Sequence, residues 1–340
     1  MLYGHGDDVY KFGENIKINF SSNISGKTGL PGLYRHLAQK IACVAAYPEP
    51  APATLEALLA ASCGLQSDEV CVTNGATEAI YLIAQAFHGM KSYVLQPTFS
   101  EYADACRLHR HTVKSVYTVD AIDAAADIVW LCNPNNPTGT ALPEKTLTGL
   151  IASHPSACFV IDRSYEDFTA KKLFSAAEAV KMPHVILLHS ATKRYAIPGI
   201  RLGYITAPAA LLQRIRMQRM PWSVNAPAIE AGYYFLANNP PLQPSLDELL
   251  AETGRLQTAI SRLKIAEVWP TDTHFFLARL RTGKAGTLKN YLACEHGILI
   301  RDASNFEGLD DTFIRIATQS PEENNHLINA LEEWKHSFIS

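Results

Sequence analysis

One short stretch, HSATKRYAIPGIRLGY, contains residues that could hold a covalent cofactor. It places Ser190, Lys193 and Arg201 close together, between apolar runs VILLH and GYITAP that predict strands. A lysine amine can form a Schiff base with an aldehyde cofactor, while a serine and an arginine can bind a phosphate tail. A lysine after a strand is more often a solvated surface residue, so this hypothesis depends on the rest of the chain.

Two strings that follow predicted strands could contribute to such a site. NGATE opens a helix after EVCVT, where Gly75 permits close backbone approach and the helix start offers N–H groups to an anion. Thr77 could add a hydroxyl contact there. PTFSEY places Tyr102 on the first turn of another helix, where its ring could stack on a flat ligand. The alternatives are a plain turn capped by Thr77 and core packing of Tyr102.

Two further strings carry amides and a carboxylate. NPNNPTG follows DIVWLC, and its two X-Pro steps hold three amides in a rigid loop, so we favour a functional loop over a plain turn. Asp162 ends the apolar run CFVID, and a buried carboxylate there needs a partner such as a protonated pyridine nitrogen. Tyr165 could donate to an oxygen on the same ring. A helix N-cap is the alternative role for Asp162.

Two arginines lie in apolar, strand-like runs near the C-terminus: Arg301 in ILIRD and Arg315 in FIRIA. A buried guanidinium requires an anion. A substrate carboxylate or phosphate would serve, and a structural ion pair is the alternative.

Alternating helices and strands from residue 54 onward position these strings. Seven nearly all-apolar runs predict an α/β fold with a seven-stranded, mostly parallel sheet covered on both faces: EVCVT, SYVLQ, TVKSVYTV, DIVWLC, CFVID, VILLH and LGYIT. After the hinge-like NNPPLQPSL, further elements predict a smaller α+β domain joined by the N-terminal arm, with INFSSNI as a short strand. We expect a large domain over 45–237 and a small one over 1–44 and 238–340.

Composition excludes several other classes. The 340 residues are 47% hydrophobic with a net charge of -3, and no basic run favours nucleic acid. No apolar run approaches the roughly 20 residues of a membrane helix, and the N-terminus lacks an apolar leader segment. The seven cysteines include no CxxC, which predicts reduced core residues in a cytoplasmic protein. His109 and His111 lack a third ligand, so we predict a surface pair and no metal.

The motifs NGATE, NPNNPTG, D-x-x-Y and SATK-x7-R, in this order, resemble fold-type I pyridoxal-phosphate enzymes of the aminotransferase class I/II family. The resemblance spans essentially the whole chain and implies pyridoxal 5'-phosphate as cofactor. It implies these roles: Lys193 as the Schiff-base lysine; Asp162 as the partner of the pyridine nitrogen; Asn136 and Tyr165 as 3-oxygen contacts; Tyr102 as the stacking aromatic; Gly75, Ala76, Ser190 and Arg201 as the phosphate cup, with Thr77 as a possible helper.

Two consequences of the resemblance concern positions outside these motifs. Tyr47 matches a tyrosine that reaches the cofactor phosphate of the partner subunit, which implies a homodimer with the active site at the subunit interface. The family usually has D-E-A-[YF] where this chain has Asp162-Arg163-Ser164-Tyr165. The aspartate itself is retained. The departure concerns the contacts that surround it, which need not match those usual in the family.

Two branches of the family compete, histidinol-phosphate aminotransferases and the threonine-phosphate decarboxylases of the cobalamin pathway. HGD, INFSSNI, TKRYAIPGIRLGY, MPWSVNAP and ILIRDASNFEGLD resemble the second branch more closely. That resemblance implies decarboxylation of L-threonine O-3-phosphate to aminopropanol phosphate. The substrate contacts would come from His5, Asn23, Asn136, Arg301 and Arg315. An aminotransferase of histidinol phosphate or a related phosphorylated amino compound, and a catalytically inactive cofactor-binding regulator, remain alternatives.

Overall fold

The computed structural model describes residues 7–24 and 30–338, so His5 lies outside the described residues. The strands are β1 (Ile18–Asn19), β2 (Val70–Thr73), β3 (Lys91–Leu95), β4 (Thr112–Val116), β5 (Ile128–Cys132), β6 (Cys158–Asp162), β7 (Val185–Ser190), β8 (Gly203–Thr206), β9 (Ala266–Val268), β10 (Phe275–Leu280), β11 (Ile298–Leu299), β12 (Arg301–Asp302) and β13 (Phe313–Ala317). The α-helices are α1 (Pro31–Lys40), α2 (Ala53–Cys63), α3 (Gly75–Ala86), α4 (Glu101–Leu108), α5 (Glu144–Ser153), α6 (Ala176–Ala179), α7 (Ala191–Arg194), α8 (Ala209–Arg216), α9 (Ala226–Asn238), α10 (Leu246–Leu263), α11 (Ala285–His296) and α12 (Pro321–Phe338).

Seven strands form the large sheet, in the order β2-β8-β7-β6-β5-β3-β4. β8 is antiparallel to both of its neighbours, and the remaining pairs are parallel. Both faces are buried because successive residues point to opposite sides: Ile128 and Trp130 of β5 belong to one core cluster, whereas Val129 and Leu131 belong to another. The predicted seven-stranded, mostly parallel sheet is confirmed.

Local signals in the sequence explain where several helices begin and end. α2 stops at Gly64, whose φ of 69° is the left-handed conformation that favours glycine. α10 starts after Ser245, whose hydroxyl accepts from the backbone N–H of Glu248 while the Glu248 carboxylate accepts from the Ser245 backbone N–H. α3 ends at Ala86, three residues before Gly89.

The C-terminal region forms a four-stranded antiparallel sheet, β12-β13-β10-β9. The prediction of one continuous strand over ILIRD is wrong, because the run divides at Ile300. β11 pairs in parallel with β1 from the N-terminal arm, whereas β12 pairs with β13. The arm therefore pairs one strand with the C-terminal region.

We propose the domain division at 45–237, with the remainder of the chain in the smaller domain. β1 supports it by pairing with β11. α1 instead packs on α9, and its buried Leu33 shares a core cluster with Val72 of the large sheet. The arm thus contacts both parts of the chain.

Several single-residue expectations can be compared directly with the structure. All seven cysteines are unpaired; four are buried, and Cys294 is exposed. His111 is buried rather than on the surface, with its Nδ1 2.7 Å from Ser92 Oγ and its Nε2 2.8 Å from the Ala84 carbonyl oxygen. No helix among the described residues combines the length and apolar character needed to cross a bilayer.

Candidate active site

A cavity of about 510 Å³ lies at the carboxyl ends of the parallel strands. β5, β6 and β7 end there at Cys132, Asp162 and Ser190, as expected for an open α/β sheet. The cavity brings together most of the residues predicted from the sequence: Ala76, Thr77, Tyr102, Asn136, Asp162, Tyr165, Ser190, Lys193, Arg201, Arg301 and Arg315. Tyr47, 85% exposed, does not line it.

Asp162 is fixed at the floor of the cavity. Its side chain is 4% exposed, Oδ1 accepts from the Ser164 backbone N–H at 2.8 Å, and Oδ2 accepts from the Tyr102 hydroxyl at 2.7 Å. Burial and the neighbouring carboxylate raise the pKa of the Tyr102 phenol, so this hydroxyl stays protonated and remains a donor. The carboxylate is thereby held in one orientation towards the cavity.

Lys193 lies on the short helix that follows β7, and its Nζ donates to the Ser22 carbonyl oxygen at 2.9 Å. Burial, with additional repulsion from Arg315 and Arg201, lowers the pKa of this amine from 10.5 to about 8. About a tenth of the amine is therefore neutral at pH 7, far more than for an ordinary lysine, and this neutral fraction can attack an aldehyde. A segment of the N-terminal arm, rather than a charged side chain, orients the lysine.

Gly75, Arg201 and Gly203 form a close-packed anion cradle at the start of α3. A Cβ on Gly75 would lie 2.7 Å from the Arg201 guanidinium, and one on Gly203 would lie 2.7 Å from the backbone nitrogen of Ala76. Arg201 itself has a φ of 59°, and its guanidinium lies against this helix start. Helix N–H groups and a guanidinium thus meet at one end of the cavity, an arrangement suited to phosphate.

We expect Gly75→Ala to weaken cofactor binding roughly tenfold, because the new methyl group displaces Arg201 from an anion contact. The left-handed φ of 76° adds about 1–2 kcal/mol of backbone cost. Gly64→Ala is the matched control, because its φ is 69° and no atom lies near the new Cβ. Titration of the apo-proteins with the cofactor would contradict this prediction if both variants bound it equally.

Tyr102 stands between the cavity and the core. Its ring stacks on Trp130 with centroids 5.9 Å apart and an interplanar angle of 20°. Phe99 contacts it edge-on at 5.8 Å. The ring that the sequence predicts to stack on a flat ligand is therefore fixed from behind by other aromatic side chains.

Tyr165 lines the cavity, whereas Asn23, which the sequence predicts as a substrate contact, lies behind it and does not line it. The Tyr165 hydroxyl accepts from Asn23 Nδ2 at 3.2 Å, and burial raises the pKa of the phenol. Because this bond uses an oxygen lone pair, the phenolic proton remains available to a ligand. Asn23 is 0% exposed, and its Oδ1 has no hydrogen-bond partner among the described residues.

Arg301 and Arg315 are directly paired neighbours in the antiparallel β12–β13 ladder, and both line the cavity. Burial lowers the pKa of the Arg315 guanidinium to about 9, with Arg301 as a further cause. Burial also lowers the pKa of Arg301. Like charges opposite each other destabilise a sheet unless an anion lies between them. The pair therefore marks an anion-binding end of the cavity.

Neutral groups of the described residues hold Arg315 in place. Arg315 donates to Asn136 Oδ1 and to the Ser21 carbonyl oxygen, and no carboxylate pairs with it among the described residues. Its buried Nε also lacks a partner there. Arg301 donates to Asn305 Oδ1 at 2.6 Å. Within the described part of the chain, no carboxylate offsets the charge of Arg315, so this guanidinium can pair with an anionic ligand.

Arg163, the departure from the usual motif, lies behind the cavity. Its Nη2 pairs with Glu166 Oε2 at 2.8 Å, and Glu166 Oε1 lies 2.7 Å from His189 Nδ1. His189 Nε2 lies 3.0 Å from Thr206 Oγ1. Arg163 therefore belongs to a polar network that links β6, β7 and β8, and it does not line the cavity.

Sequence reasoning missed several cavity residues. Ser21 and Ser22 contribute backbone carbonyls, which no side-chain pattern reveals. Asn305 can be identified only from its hydrogen bond to Arg301 in the structure. Asp7 also lines the cavity and is the aspartate of the HGD string, two residues after its histidine, so that motif could have indicated it.

The residues at this cavity fit pyridoxal 5'-phosphate. The glycine cradle suits its phosphate, Lys193 its aldehyde and the fixed Asp162 its ring nitrogen. A family model described as aminotransferase class I and II matches residues 15–331. The chain belongs to this family. Its cofactor is accordingly pyridoxal 5'-phosphate.

Individual members of the aminotransferase class I and II family can be compared with the chain. Threonine-phosphate decarboxylase from Salmonella typhimurium is 31% identical over 331 residues, which cover 92% of this chain and 90% of that protein. Histidinol-phosphate aminotransferase from Parabacteroides distasonis is 28% identical over 304 residues, covering 85% and 86%. The crystal structure of L-threonine-O-3-phosphate decarboxylase from Porphyromonas gingivalis matches with a TM-score of 0.91 at 38% identity, covering 94% of this chain and 100% of that one.

Proposed function

We propose that the protein decarboxylates L-threonine O-3-phosphate to aminopropanol phosphate. The observation that carries the proposal is the buried Arg301–Arg315 pair beside Lys193, because the substrate brings two anionic groups to its amine. The similarity to the two threonine-phosphate decarboxylases supports the same choice.

In this proposal the substrate's phosphate and carboxylate occupy the arginine end of the cavity. Asn136 orients Arg315, and Asn23 donates to the Tyr165 hydroxyl. His5 remains a proposed contact outside the described residues. Which bond at Cα breaks depends on how the carboxylate is held relative to the cofactor ring, so the residues that bind these two anions select the reaction.

Asp162, Tyr165 and Lys193 act at the end of the cavity that would hold the cofactor. Bound pyridoxal phosphate supplies an aldehyde for the amine and a ring that accepts the electron pair of a bond broken at Cα. Asp162 keeps a proton on the ring nitrogen, and Tyr165 donates its phenolic proton into the cavity. Lys193, freed by the substrate amine, returns a proton to Cα; its lowered pKa suits both accepting and donating one.

Holo-protein incubated with threonine phosphate should release CO2 without forming a keto acid. Turnover should not depend on 2-oxoglutarate, because decarboxylation needs no amino acceptor. Serine phosphate and histidinol phosphate assayed side by side define the specificity. Turnover of histidinol phosphate that requires 2-oxoglutarate would contradict the proposal and support an aminotransferase instead.

The aminotransferase is the second candidate because a histidinol-phosphate aminotransferase covers a similar share of the chain at 28% identity. The arginine pair alone does not exclude this branch, since a histidinol-phosphate aminotransferase also acts on a phosphorylated substrate. An inactive cofactor-binding regulator is disfavoured by the intact set of Lys193, Asp162 and Arg201 around one cavity.

We further propose a homodimer in which Tyr47 reaches the partner's cofactor site. Tyr47 contacts Trp222 with ring centroids 5.2 Å apart, and large exposed apolar side chains lie on the two segments that meet there: Ile41, Val44, Met217 and Met220. Such a patch is typical of a protein–protein interface. A cytoplasmic location and a role in the cobalamin pathway complete the proposal, both by resemblance to the decarboxylase branch.

A further inference from the structure

Asp7 introduces a carboxylate into a cavity whose substrate end is otherwise cationic. It lines the same cavity as Lys193, Arg301 and Arg315. Its Oδ1 accepts from Asn19 Nδ2 at 2.5 Å, and its backbone N–H donates to Ser21 Oγ at 3.2 Å. The carboxylate is thus held in place by the arm.

The other carboxylates that line the cavity have partners that commit them elsewhere. Asp162 accepts from Tyr102 and Ser164 and faces the cofactor's ring nitrogen. Glu101 is buried and accepts from the Tyr81 hydroxyl at 2.7 Å. Asp7 is exposed and accepts from a neutral amide. Of these three groups, it is the one placed to receive a cation that enters from solvent.

An amino-acid phosphate arrives with one cation, its α-ammonium group, as well as two anions. The arginines suit the anions, and the ammonium must reach the cofactor beside Lys193. The negative charge of Asp7 acts on Lys193, where it partly opposes the lowering of that lysine's pKa. A carboxylate that influences the lysine amine also attracts an ammonium group approaching the same place.

We propose that Asp7 binds the α-ammonium group of the incoming substrate and positions it for transfer to the cofactor. The inference rests on the proposed function, because it assumes a phosphorylated amino-acid substrate. It also gives Asp7 a role in specificity, since the same carboxylate repels a ligand that carries phosphate and carboxylate but no amine.

The test compares two ligands on holoenzyme whose link between cofactor and Lys193 has been reduced with borohydride. In the reduced enzyme the substrate amine cannot displace Lys193 from the cofactor. Calorimetry therefore measures ligand binding without turnover. The ligands are threonine phosphate and its desamino analogue, 3-hydroxybutanoate O-phosphate. We expect Asp7→Asn to reduce the preference for threonine phosphate roughly tenfold, the value of a charge-assisted hydrogen bond. Binding of the desamino analogue should be unchanged or tighter.

Asp8→Asn is the matched control. Asp8 is adjacent in sequence but does not line the cavity, and its Oδ2 pairs with Lys289 at 2.6 Å. Loosening the arm by this change should weaken both ligands alike. If Asp7→Asn left the preference for threonine phosphate unchanged, the role of Asp7 would be overturned while the proposed function would stand. If the reduced wild-type enzyme bound neither ligand, the proposed substrate and the role of Asp7 would both fail.

Discussion

Lys193→Ala is expected to lower turnover of threonine phosphate by about a thousandfold or more. The variant lacks both the amine that holds the cofactor and the group that moves a proton at Cα. Steady-state kinetics, with the visible absorbance of the holo-protein, measure both losses. Lys193→Arg is the matched control: it retains a positive charge near the Ser22 carbonyl but cannot bond to the aldehyde. Near-wild-type turnover in the alanine variant would refute the role of this lysine.

The lowered pKa of Lys193 gives the same prediction a pH dependence. The aldehyde is attacked by the neutral amine, whose fraction increases as the pH rises through the pKa. Capture of the cofactor by apo-protein should therefore accelerate with pH and level off above about 8. An unperturbed lysine would continue to gain reactivity up to about its ordinary value of 10.5. Stopped-flow absorbance across this range distinguishes the two.

Asp162→Asn is expected to lower kcat by on the order of a hundredfold to a thousandfold while the cofactor remains bound. The amide cannot stabilise a positive charge on the ring nitrogen, so the ring becomes a weaker electron acceptor as the bond at Cα breaks. Cofactor affinity should change much less, because the phosphate cradle of Gly75 and Arg201 is untouched. Kinetics with saturating cofactor, together with a binding titration, separate the two effects.

Tyr102→Phe is the control for this variant. It removes the hydroxyl that donates to Asp162 at 2.7 Å but retains the ring stacked on Trp130. Its loss should be far smaller, because the carboxylate keeps its charge and its bond from Ser164. Equal losses in the two variants would mean that orientation, rather than charge, is what Asp162 provides.

The large sheet and its strand-end motifs could be predicted from the sequence. The central parallel strands β5, β6 and β7 are apolar on both faces, so the sequence alone predicts them, and ligand-binding groups follow at their carboxyl ends. The same argument predicts that Asp162 and Ser190 lie at one edge of the sheet. Lys193 and Arg201 follow β7 closely enough for the same argument to include them.

Contacts between distant segments could not be predicted in this way. The pairing of Arg301 with Arg315 depends on the register of two strands that a one-residue slip would change. The break at Ile300 places neighbouring residues in different sheets, although ILIRD is uniformly strand-like apart from its charged end. The backbone carbonyls of Ser21 and Ser22 carry no side-chain signal at all.

The pairing of β1 with β11 has a consequence for the order in which parts of the protein can fold during synthesis. A nascent chain emerges from the ribosome with its amino end first. The arm therefore cannot form its pairing with β11 until most of the polypeptide has been made. The sheet with Lys193 and Asp162 can assemble earlier. A ribosome-bound fragment that stops before β11 therefore carries the cofactor half of the cavity but neither of the paired arginines.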